Sequence, residues 1–159
     1  MKHVQAERFR IADAILWTVA MLFLFPAKGM PGEPPQILVM HSYHKGYAWT
    51  DNIMRGLDQV FEEELSEAEI SVEYLDTKRH PPQQVFPSLL PLFREKYGHA
   101  DFDAIVTSDD NALAFLLLVR DELFPGVPVV FCGINDVDMY DIDQEHGFTG
   151  VVEDFDLRA

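Results

Sequence analysis

From residue 36 onward, short apolar runs alternate with amphipathic stretches, and the two periods predict a fold. Ile37, Leu38, Val39 and Met40 are consecutive, as in a strand buried on both faces, and the polar cluster His41-Ser42-Tyr43-His44-Lys45-Gly46 follows at once. From Trp49 the apolar positions Ile53, Leu57, Phe61 and Leu65 recur every four residues and line one face of a helix, with Thr50 or Asp51 placed to cap it. Ile70, Val72 and Tyr74 alternate with polar residues, the pattern of a half-exposed strand near a sheet edge. Pro81-Pro82 opens a second helical stretch with Val85, Phe86, Leu89, Leu90 and Phe93 on one side, which Pro87 and Pro91 should start or kink. Residues 102–108 form a third strand, and Asp109, Asp110 and Asn111 are N-cap types for a very apolar helix over 112–123. Pro125-Gly126 marks a turn, residues 127–131 a fourth buried strand, and residues 148–152 a fifth after an irregular stretch. Strand and helix therefore alternate, which is the order of an α/β protein with a three-layer open parallel sheet.

Ahead of this pattern, Lys2, Arg8 and Arg10 precede an apolar run over 14–25 that stops at Pro26. At roughly 12 residues against the ~20 of a spanning helix, it reads as a signal peptide occupying residues 1–30. An uncleaved N-terminal anchor is the alternative, because Ala27-Lys28-Gly29-Met30 is a poor small-x-small cleavage site. Either reading places the remainder in the periplasm or another extracytoplasmic space. Residues 31–35 form a Pro/Gly-rich linker, and the folded part spans 36–159.

Charge narrows the partners. The 159 residues hold 12 Lys and Arg against 27 Asp and Glu, a formal charge of −15 with a pI near 4.5. Removal of residues 1–30 would leave 8 basic against 25 acidic residues, or −17. Such a chain repels a nucleic-acid backbone, so no nucleic-acid partner is expected. The single cysteine, Cys132, cannot close an internal disulfide, and no Gly-rich phosphate loop announces a nucleotide cofactor.

In open parallel sheets ligands sit beyond the carboxyl ends of the strands. That rule selects the loops that begin at Ser42, Asp76, Ser108, Gly133 and Glu153. Tyr43, Tyr47 and Trp49 offer flat faces for stacking, although Trp49 could equally pack its helix on the sheet. Ser108, Asp109 and Asn111 could meet hydroxyls or an ammonium, or serve only as a helix cap. Asn135 carries the same ambiguity. His41 and His44 are a weak metal pair, and Cys132 and Ser42 lack the surroundings of a nucleophile, so neither a metal site nor a catalytic residue is expected.

The segments His41-Ser-Tyr-His-Lys-Gly-Tyr-Ala-Trp-Thr-Asp51, Thr107-Ser-Asp-Asp-Asn-Ala-Leu113, Phe124-Pro-Gly-Val-Pro-Val-Val-Phe-Cys-Gly-Ile-Asn135 and Thr149-Gly-Val-Val-Glu153 occur in order. Together, over residues 36–157, they resemble the ABC-transporter substrate-binding-protein-like family, which has the type I periplasmic binding fold. The opening segment is most similar to the branch fused to membrane histidine kinases. The resemblance implies an N-terminal lobe with the second lobe absent, and a cleft faced by Ser42, Tyr43, Ser108, Asp109, Asn111 and Asn135; Trp49 and Glu153 are further candidates by the strand-end rule alone. It implies a noncatalytic domain that binds a small polar or amino-acid-like ligand by hinge closure, for an ABC permease or a fused or partner histidine kinase. A self-contained flavodoxin-like enzyme or receiver-type domain is the alternative.

Overall fold

The computed structural model describes residues 33–153 except 136, 141, 143 and 144. The segment expected to be a signal peptide or anchor lies outside the described residues, as does the end of the chain after Glu153. Nine elements follow one another: β1 (Gln36–His41), α1 (Ala48–Glu64), β2 (Glu69–Tyr74), α2 (Pro82–Tyr97), β3 (Ala104–Ser108), α3 (Asp109–Leu123), β4 (Val129–Ile134), a 3₁₀ turn (Val137–Met139) and β5 (Phe148–Val152). The five strands form one sheet in the order β2-β1-β3-β4-β5, and every pairing is parallel. Among the described residues no helix is long and apolar enough to cross a membrane.

The strand order dictates where the helices lie. The chain steps from β1 sideways to β2, then returns across β1 to β3 and continues in the same direction to β4. Right-handed crossovers place the first helix on one face and the next two on the other. The two cores have this arrangement. Ile53, Leu57, Val60 and Phe61 of α1 pack on Ile37, Val39, Val106 and Val130. Phe93 and Tyr97 of α2, with Leu113, Phe115 and Leu116 of α3, pack on Leu38, Met40, Ile105 and Phe131. Successive residues of β1 and β3 thus feed opposite cores, which is why those strands read as unbroken apolar runs. β2 lies at an edge, as its alternation predicts, with no residue fully buried.

The third strand starts at Ala104 and not at residue 102, the fourth runs over Val129–Ile134 and not 127–131, and each helix departs from expectation. The first helix starts at Ala48, so Thr50 and Asp51 lie within its first turn and cap nothing, Tyr47 being the N-cap residue. α2 is continuous through Pro87 and Pro91, both on its exposed side, where the Gln83 and Pro87 carbonyls that lose an N–H partner can turn to water. α3 begins at Asp109, three residues before the expected start, and Ser108 at its N-cap makes no side-chain capping bond.

Candidate functional site

A sheet of this order reverses direction between β1 and β3, and sheets of this kind take ligands in the crevice at the carboxyl ends of those two strands. The two strand ends are tied by Ser42. Its hydroxyl donates to the Ser108 carbonyl (2.8 Å) and accepts from the Ala112 N–H (2.7 Å), so α3 takes its cap from a residue 70 positions away. The Ser42 carbonyl in turn accepts from the Thr77 N–H (2.9 Å) and hydroxyl (2.7 Å). Ser42 is buried and all of these bonds lie within the protein, so it frames the crevice from beneath.

His41 and Ser108 lie under the same floor. The His41 Nδ1 and Ser108 Oγ are 2.8 Å apart, Nε2 is 3.4 Å from Met54 Sδ, and the ring stacks on Tyr74. Burial pushes the imidazole down to about 4, against a smaller upward pull from Asp51, so it is neutral near pH 7. His44 turns elsewhere, to Asp76 (Nδ1 to Oδ1, 3.2 Å). Asn111 bonds Thr77 through Nδ2 and Oγ1 (3.0 Å), which links the β2 and β3 ends.

Asp109 is the most unusual residue of the crevice. It has φ of +65°, a left-handed conformation that non-glycine residues adopt at a cost, although Asp tolerates it better than most. It is 6% exposed. Trp49 Nε1 donates to its Oδ1 (2.9 Å), so Trp49 both packs against the α1 core and fixes this carboxylate. Oδ2 has no hydrogen-bond partner among the described residues. Burial raises the carboxyl to about 6, with Glu153 and Asp110 adding to it, against opposing hydrogen bonds from Ser108 and Trp49. Gly133 lies beside the carboxylate at φ of +69°, a conformation that favours glycine, and a Cβ there would be in ordinary contact with Asp109 Oδ1 (3.4 Å) and Trp49 Cζ2 (3.6 Å).

Around this carboxylate stand further polar groups. Glu153, after β5, has a buried Oε1 without a partner among the described residues, and burial followed by the charge of Asp110 raises its pKa. Asn135, exposed after β4, donates from Nδ2 to Asp110 Oδ2, and the Tyr140 hydroxyl donates to the Asp110 carbonyl (3.2 Å). Tyr43 is pushed up to about 12, first by burial and then by Asp109 and Asp110, with Tyr47 and Glu153 contributing less. Its ring also has Lys78 Nζ 4.9 Å from the centroid and meets Tyr47 edge-on (5.3 Å). Cys132 is pushed up to about 12 by burial, then by Asp109 and Glu153, and holds its proton near neutrality.

Of the residues singled out from sequence, Tyr43, Trp49, Asp109, Asn135 and Glu153 share this region with Asp110, whereas Ser42, Ser108 and Asn111 hold the strand ends together. Tyr140 was missed, because the stretch between β4 and β5 carries no period. Among the described residues no three His, Cys, Asp or Glu side chains gather as a metal would require. A shallow depression of about 330 Å³ between Asp58, Phe61, Leu65 and Ile70 lies at the other end of the sheet, beside the start of β2. No family model, curated protein or solved structure matches this chain, so its functional reading is carried by the geometry at the carboxyl ends of the strands.

Proposed function

We propose that this chain is the ligand-facing lobe of an exported solute-binding or sensor protein. It takes a small, polar, amino-acid-like solute at the β1–β3 crevice and, by hinge closure against a second lobe, passes it to an ABC permease or signals through a membrane histidine kinase. One observation carries the reading: charge is divided across the crevice. Lys78 follows β2, beside the Arg79–Asp76 ion pair (2.7 Å), while Asp109, Asp110 and Glu153 follow β3 and β5. Tyr43 lies between, with Lys78 over its ring and the three acids acting on its hydroxyl. A dipolar solute is complementary to that division, and the aromatic faces suit its apolar part. The resemblance to substrate-binding proteins supports the same reading.

Binding fits these residues better than catalysis does. His41 and Ser108 have the spacing of a base and a nucleophile, yet they are 0% and 1% exposed. A base near 4 is also a poor proton acceptor at neutral pH. Thermal unfolding of the chain with a panel of small solutes tests the proposal. A dipolar solute should raise the midpoint with saturation and be recovered unchanged, the gain reaching about 2.7 kcal/mol at one hundred times Kd. Chemical conversion of the solute, or no shift with any of the panel, would overturn it.

A further inference from the structure

Resting on that reading, we propose that Asp109 Oδ2, backed by Glu153, seats a cationic group of the ligand, an organic ammonium or guanidinium. A carboxylate removed from water needs a partner for each oxygen; here Trp49 donates to Oδ1, and the Ser108 hydroxyl also acts on the group. Oδ2 is left without a partner on a residue 94% buried (6% exposed). The Glu153 Oε1 atom is orphaned at the same end of the sheet, and its charge reaches Asp109.

Two details hold the carboxylate in place at a cost to the fold. Asp109 accepts φ of +65°, and Gly133 beside it stands at φ of +69°, where a side chain would be strained. Such strain is common where a chain holds a group ready for a ligand. The charges that act on Asp109 among the described residues are Asp110 and Glu153, both acidic, so the local potential attracts a cation. The donor set is too small for a metal ion, since no third His, Cys, Asp or Glu joins it among the described residues. An N–H donor with an adjoining apolar part fits instead, because Trp49 and Tyr43 border the place.

Seating a cation favours ionised Asp109, so binding must release its proton below about pH 6. Affinity for a cationic solute should therefore fall on acidification, by about 10-fold per pH unit once the carboxyl is protonated. The titratable groups that face Asp109 are Asp110 on its own helix, Glu153 after β5, Tyr43 after β1 and Cys132 on β4.

The test is a titration of the full chain with each free α-amino acid and its N-acetyl derivative, followed by NMR line shifts, which register millimolar binding. A free amino acid should bind, and N-acetylation should weaken it about 30-fold or more. Asp109→Asn should cause a similar loss for the free form and little for the acetylated one. Because Asn keeps the shape and an acceptor for Trp49, the variant should fold, which its unfolding midpoint verifies. Equal binding of free and acetylated forms, or competition by Ca²⁺ as strong as by amine, would overturn the ammonium seat and leave the solute-binding reading standing. No shift with any member of either series would overturn both.

Discussion

His41 and Asp109 lie on one crevice floor and pull the pH dependence of stability in opposite directions. Burial takes His41 from 6.5 to about 4, so the unfolded chain binds that proton first. Its stabilisation is present above pH 6.5 and is lost as pH falls through 4, a range of about 3 kcal/mol. Burial takes Asp109 from 3.8 to about 6, so the folded chain binds that proton first. Its contribution is fullest below pH 3.8 and is lost as pH rises through 6, again about 3 kcal/mol before screening reduces it. Between pH 4 and 6 the two largely cancel. Asp109→Asn should therefore turn a flat profile into one that rises with pH, and should raise stability at pH 7; denaturant unfolding across pH 4 to 7.5 reads this directly, and parallel profiles for the two proteins would refute it. The strand-end rule located Asp109 from sequence, while His41 falls one position before the loop that the rule selects. It could not show which way they face, because their partners, Ser108 for His41 and Trp49 for Asp109, lie 67 and 60 positions away.

Elements in this fold are joined more by foreign side chains than by their own caps. α3 has no side-chain cap of its own, and the Ala112 N–H depends on Ser42. Ser42→Ala should leave that buried donor unpaired and cost about 1–3 kcal/mol, seen as a lower urea midpoint with unchanged slope. At the far edge, β5 meets β4 with Gly150 opposite Phe131, and a Cβ on Gly150 would lie 2.1 Å from the Phe131 carbonyl oxygen and 2.5 Å from its ring. Gly150→Ala should therefore destabilise by about 1–3 kcal/mol, with amide exchange accelerating first in β5. The element types were legible because their periods are strong. The N-terminal ends were not: Asp109, Asp110 and Asn111 read as caps on composition alone, whereas the capping hydroxyl comes from another strand. α2 read as started or kinked at Pro87 and Pro91, because sequence shows two prolines and not the side they face.

The whole molecule combines a formal charge of −15 with a sheet whose every neighbour is reached by a crossover. Acid repels acid across such a surface, so about 0.3 M NaCl should raise the unfolding midpoint. A midpoint that falls with salt would show that the ion pairs Arg94–Glu122 and Lys96–Glu73 outweigh the repulsion. Fold class was legible at this scale because alternating elements leave few topologies, while the crevice chemistry depended on pairings that no local window contains. Those pairings also set a timetable. β1 needs β3 on one edge and β2 on the other, and the bond joining His41 to Ser108 spans 67 positions. At about 5–20 residues per second, a growing chain holds β1 with that edge open for several seconds after it is made. The wall on which a ligand would rest therefore cannot close until β3 is made, and a chain interrupted between β1 and Ser108 leaves an open apolar strand edge for chaperones or for its own copies.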